Sequence, residues 1–153
     1  MGLPRLNRAG LETYLKAAEK LEEDTPRHFG TMSPNRMVRH LRHTLEVSYG
    51  AKEDPNRSNW FTRGIGRIAV FHIFTRWPGG LLKQPDSWSP PPEDGFEVEH
   101  QRLLDALKRF VEEQEKSPDR KTISPLLGPL TLQYWGHIHS VHFAHHFRQF
   151  GLH

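Results

Sequence analysis

Leu11, Tyr14, Leu15, Ala18 and Leu21 recur at the spacing of one helical face, with Lys and Glu between them, and predict a first amphipathic helix over about residues 7–23. Pro26 and Gly30 break that pattern. A second helix is expected from Pro34 to about Tyr49: Ser33 can cap it, proline suits the first helical position, and Gly50 is a natural stop. Its inward positions are Met37, Leu41, Thr44, Leu45 and Ser48. Residues 60–75 alternate aromatic, glycine and arginine residues in a way that suits a short, partly buried accessory helix. The proline-rich run 78–94 can be neither a continuous helix nor a central strand, so it reads as a long ordered loop. Phe96, His100, Leu103, Leu104, Leu107, Phe110 and Val111 define a third long helix that opens on acidic residues and stops at Ser117-Pro118. A connection through Pro125, Gly128 and Pro129 leads to Thr131, a suitable cap for a last helix reaching Phe150. No segment alternates β-branched residues with period two, so no sheet is expected. The pattern predicts an all-α, four-helix bundle with a short accessory helix and a long Pro-rich loop, folded as a single domain over residues 1–153.

The last helix changes the picture, because residues 135–150 hold five of the eleven histidines. At about 100° per residue, Trp135, His139, His142, His146 and Phe150 share one face, while His137, His145 and Arg148 point elsewhere. His142 and His146 lie one turn apart, so their Cβ atoms are roughly 6 Å apart and both rings can reach one divalent ion. With so many histidines, about one such pair is expected by chance, so a third ligand from another segment is needed. His40 and His43 on the second helix are the candidates, and His40 is the better placed because it precedes the core residue Leu41. The competing reading leaves all of these as buried histidines bonded to their neighbours.

Composition narrows the chemistry. The chain has no cysteine, which excludes disulfides and thiolate ligands and leaves His, Asp and Glu to hold any metal. The net charge of +3 is spread over segments of mixed sign, so no nucleic-acid partner is expected. Residues 65–82 are the most apolar window, but Arg67, His72, Arg76 and the Pro78-Gly79-Gly80 turn argue against a membrane span. The N-terminal residues have no apolar leader core, and a cytoplasmic location is the expectation. Trp60, Tyr134 and Trp135 are candidates to line an apolar pocket, Arg36, Arg39 or Arg63 to meet an anionic group, and residues 90–96 to select a substrate. Trp77, Leu81, Leu82 and Trp88 are candidates for an apolar patch in a homodimer.

Two patches carry a family resemblance: MSPNRMVRHL over residues 32–41, and the segment from Gly128 through Trp135 to the terminal HFAHHFRQF of residues 142–150. Together with the proline-rich loop and the acidic, leucine-rich third helix, they resemble a domain-of-unknown-function branch of the DinB/YfiT-like superfamily. That resemblance implies a four-helix bundle in which one histidine of the second helix and an H-x-x-x-H pair of the last helix bind a divalent metal. Position by position, the implied ligands are His40, His142 and His146, and the implied metal is zinc or nickel. One position departs from the branch, which tends to carry His-Pro where this chain has Ser124-Pro125.

Relatives in the superfamily include thiol-dependent transferases and isomerases. The resemblance therefore implies a divalent-metal-dependent enzyme, a thiol-linked transferase or hydrolase, acting on an unknown small molecule, with a low-molecular-weight thiol as a candidate partner. The alternative is a non-catalytic small-molecule-binding or stress-related helical bundle whose metal is structural or absent.

Overall fold

The computed structural model describes residues 2–70 and 88–152. The expected helical residues 71–75, most of the proline-rich loop, the patch residues Trp77, Leu81 and Leu82, and His153 lie outside the described residues.

Four α-helices carry the core: α1 (Leu11–Glu19), α2 (Pro34–Ser48), α3 (Phe96–Lys116) and α4 (Leu132–Gln149). The starts of α2 and α4 follow from their caps, since Ser33 Oγ accepts from Arg36 N–H and Thr131 Oγ1 from Tyr134 N–H. Helix α1 is shorter than its apolar stripe predicts, because side chains compete for the backbone at both ends. Asn7 Oδ1 accepts from Gly10 N–H, and Thr25 Oγ1 takes the Glu22 N–H just beyond the C-terminus.

The expected all-α four-helix bundle is corrected by a small sheet. Residues expected to form an irregular connection make an antiparallel hairpin of β1 (Lys121–Ser124) and β2 (Gly128–Thr131), pairing Thr122 with Leu130 and Ile123 with Pro129. Strands of four residues are too short to display an alternation, and a two-stranded hairpin has edges on which proline's missing donor is tolerated. The short accessory helix is present as a π-helical turn, Thr62–Gly66, and Trp60 just before it is 83% exposed.

The hairpin is tied to the helices by side chains. Thr122 Oγ1 donates to Ser48 O at 2.7 Å and accepts from Trp135 Nε1 at 2.8 Å, while Arg67 Nε donates to Leu127 O at 3.0 Å. Helix α3 packs against α1, α2 and α4, and the core runs between them through Tyr14, Leu41, Leu45, Leu107, Phe110 and Phe143, all fully buried. Among the described residues no helix is long and apolar enough to cross a membrane.

Candidate metal centre and adjoining cavity

His40 projects from the middle of α2, and His142 and His146 from successive turns of α4; all three are buried, His40 completely. One ligand nitrogen from each lies within 4.8 Å of the others. His40 Nε2 is 2.8 Å from His142 Nε2, and the His146 ring centroid is 5.0 Å from that of His40 and 4.9 Å from that of His142. Three buried imidazoles this close could hold a metal ion.

Neighbouring groups fix how these rings carry their protons. His40 Nδ1 lies 2.6 Å from the Trp88 carbonyl, an acceptor only, so the ring donates there and keeps the Nε2 lone pair for the cluster. Gln149 does the same for His146. Its amide nitrogen donates to Phe29 O at 2.9 Å, which turns Oε1 toward His146 Nδ1 at 3.0 Å. His146 therefore donates from Nδ1 and leaves Nε2 bare. A backbone or amide oxygen behind each ring is the arrangement that orients histidines as ligands and raises their basicity. Between the Nε2 atoms of His40 and His142 sits the one proton that a cation would displace.

Burial keeps the cluster neutral. It pulls the His40 pKa down to about 4, against the opposing pull of the Trp88 carbonyl, and holds His142 and His146 well below the usual imidazole range, with further lowering from the neighbouring imidazoles. Neutral imidazole is the form that binds metal. The donor set thus fits a borderline divalent cation by chemistry, by tautomer and by charge state.

The segment after residue 87 is clamped over this centre. Besides the Trp88 carbonyl, Arg39 donates to Glu93 at 2.8 Å, Arg42 donates to the same carboxylate at 3.3 Å, and Arg36 to Ser89 O at 3.3 Å. The fully buried Glu99 accepts from the Glu93 and Asp94 amides at the head of α3 and faces Arg42 at 3.4 Å. Arg39, a candidate for anion binding, is thus buried in an internal ion-pair network. Residues 90–96 serve as the anchor of that network, and Trp88 is buried instead of exposed in a dimer patch.

Beside the histidines opens a cavity of about 130 Å³. Val47, Val70, Leu127, Trp135 and Ile138 form much of its apolar wall, and His142, His139, Trp88 and Asp54 also line it. His142 therefore belongs to both the cluster and the cavity. Trp135 lines it as expected, whereas Trp60 and Tyr134 stay outside and are exposed.

His139 lies outside the cluster. Its Nε2 meets Ser48 Oγ at 2.9 Å, its ring stacks on Trp135, and burial alone lowers its pKa to about 3. His43 is buried too, bonded to Asp54 at 2.9 Å. Gln149, Asp54 and the Trp88 carbonyl were not among the candidates. Only Gln149 had a signal in the sequence, its place three residues after His146.

A family model described as a protein of unknown function (DUF1569) matches residues 3–152. The chain belongs to the DUF1569 family. No curated protein and no solved structure matches it. Membership of DUF1569 identifies a domain of unknown function, so the chemistry of this member has to be argued from its own histidines and cavity.

Proposed function

We propose that His40, His142 and His146 hold a divalent ion, zinc or nickel, and that the protein is a metal-dependent enzyme acting on a small molecule in the adjoining cavity. The observation that carries this reading is the double position of His142, which belongs to the cluster and also lines the cavity. A purely structural site is closed by four protein ligands, whereas three imidazoles leave room for an exchangeable ligand. When bound, a divalent ion supplies Lewis acidity that activates water or a small thiol near neutral pH. The protein's own groups set up the rest. The Trp88 carbonyl and the Gln149 amide hold the proton of His40 and His146 on Nδ1, the apolar wall excludes bulk water, and Arg39 and Arg42 hold the covering segment in place. A thiol-linked transferase and a hydrolase both use these features, and the likeness of the HFAHHFRQF segment to the DinB/YfiT-like superfamily favours the thiol chemistry.

Elemental analysis of untagged protein purified without chelator, beside the His142→Ala variant, tests the reading. One equivalent of metal in the wild type and little in the variant is expected, and screening of thiols and hydrolysable esters follows. No metal in either, even after incubation with zinc or nickel, moves a second reading to first place: a small-molecule-binding module in which the three rings simply hydrogen-bond, as the 2.8 Å contact of His40 with His142 allows. A single domain, a cytoplasmic location and a homodimer complete the proposal; sedimentation at two concentrations that shows a monomer throughout removes the last of these.

A further inference from the structure

The helical residues 60–70 have two sides. Thr62, Gly66, Ala69 and Val70 line the cavity and make the inner side. The outer side is apolar and bare: Trp60 is 83% exposed, Phe61 49%, Ile65 55% and Ile68 55%. Trp60 and Phe61 meet edge to face with ring centroids 6.0 Å apart, so they form one exposed aromatic pair. Ile68 borders a surface hollow together with Lys121 of the hairpin and with Tyr134, itself 54% exposed. The segment is tied down onto the hairpin, because Arg57 N–H donates to Pro125 O at 2.8 Å and Arg67 Nε to Leu127 O at 3.0 Å. Scattered apolar side chains on a surface are ordinary, but four on the outer side of one short segment mark a contact surface.

The charge around this patch has one sign. None of the 18 acidic residues lies between Asp54 and Asp86 or after Asp119, and these two stretches supply the helical segment and the hairpin beneath it. Arg57, Arg63 and Lys121 are exposed there, and no salt bridge among the described residues engages them. A second copy of this chain, docked through the same face, would bring those like charges together. A nucleic acid would match the charge but offers nothing to Ile65 and Ile68, which neither stack on bases as aromatic rings do nor bond phosphate. An anionic bilayer matches both features: tryptophan and tyrosine settle at the headgroup level, aliphatic side chains enter the acyl boundary, and basic side chains meet the lipid charge.

We propose that this face docks on an anionic membrane surface, with Trp60, Phe61, Ile65 and Ile68 entering the interface and Arg57, Arg63 and Lys121 meeting the headgroups. The attachment is peripheral and uses one side of the molecule. It goes beyond the metal reading and does not depend on it.

The test is sedimentation of the full-length protein with phosphatidylcholine vesicles, either pure or containing about 30% phosphatidylserine. Anionic vesicles are expected to bind about 10–100-fold more tightly than neutral ones, from about fivefold for each basic side chain near the surface. Added salt should narrow that difference. Trp60→Ser should weaken binding to anionic vesicles about tenfold, through the lost apolar insertion. Arg57→Gln should weaken it about fivefold and leave neutral vesicles unaffected. Both positions are exposed, so thermal melts of the variants should match wild type; if Trp60→Ser melts early, Ile68→Ser replaces it. Binding should be the same with and without chelator, which separates this inference from the metal reading. No binding to either vesicle, equal affinity for the two, or unchanged binding in all variants overturns the inference. Self-association that Trp60→Ser abolishes, with vesicles ignored, overturns it in favour of a second copy; binding of a single-stranded oligonucleotide in place of vesicles overturns it in favour of a nucleic acid.

Discussion

Replacing Gln149 with methionine separates the orientation of a ligand from the ligand itself. Gln149 is 4% exposed and meets the cluster through His146, to which it presents Oε1 at 3.0 Å. Methionine has similar length and bulk but offers only a weak thioether acceptor in place of the amide oxygen. His146 Nδ1–H is then a buried donor without a strong acceptor, at a cost of about 1–3 kcal/mol. Phe29 is 45% exposed, so its carbonyl, which loses the amide donor, can turn to water and adds little. The ring has one escape, moving its proton to Nε2, but that consumes the lone pair the cluster needs. Metal affinity should therefore fall about 10–100-fold, the usual effect of removing such a support, which corresponds to about 1.4–2.7 kcal/mol. The assay is a zinc competition titration against a chromophoric chelator, paired with urea melts of the metal-free protein. Gln149→Glu is the control, because a carboxylate still accepts from Nδ1 while losing the donor to Phe29 O, and its affinity should stay near wild type. Gly30→Ala reaches the same amide from the other side. A Cβ there lies 2.3 Å from Gln149 Nε2 at a backbone φ of +77°, so the amide has to move and affinity should drop again. Affinity and stability of Gln149→Met within twofold of wild type, or a Glu variant as weak as the Met variant, would refute the reasoning.

Gly136→Ala places a Cβ 2.4 Å from Leu6 O and 2.6 Å from Gln114 Nε2, where backbone and a bonded amide cannot yield, so thermal melts should show a loss of about 1–3 kcal/mol. Arg42→Met leaves the fully buried Glu99 without its nearest cation; urea melts should show a loss of about 3–5 kcal/mol, partly recovered on adding Glu99→Gln. The Glu93 carboxyl sits below its ordinary value of 4.5, chiefly through Arg39 and then Arg42. Its contribution is complete above 4.5 and lost as pH falls through the lowered value. Protection of the Glu93 and Asp94 amides in hydrogen exchange should drop over that acidic range, and Glu93→Gln should flatten the dependence.

The helices were legible because their signals are local. Ser33 and Thr131 cap where their positions indicate, and the stripe of Met37, Leu41 and Leu45 is fully buried. The hairpin was not, because its strength lies in partners distant in sequence. Thr122 looks like any turn threonine until Ser48 O and Trp135 Nε1 converge on its hydroxyl, 74 and 13 residues away. Arg39 is hidden for a related reason. It reads in sequence as a candidate to meet an anionic group, yet the segment carrying Glu93 folds over it and buries it, beside Arg42 and Glu99, in an internal ion-pair network.

In the candidate site, one piece of helical arithmetic succeeded and failed on the same stripe. Angular position groups His139, His142 and His146, and it is right that all three turn inward and are buried. It omits height. His139 and His146 are seven residues apart, a rise of roughly 10 Å along the axis, while the cluster spans only the last turn that His40 faces. His142 and His146 meet His40; His139, a turn earlier, meets Ser48 near the end of α2 instead. The stripe therefore presents two environments at two heights, a set of imidazoles that could hold a cation and a single imidazole bonded to Ser48 and stacked on Trp135. His142, between them, belongs to the cluster and, like His139, also lines the cavity.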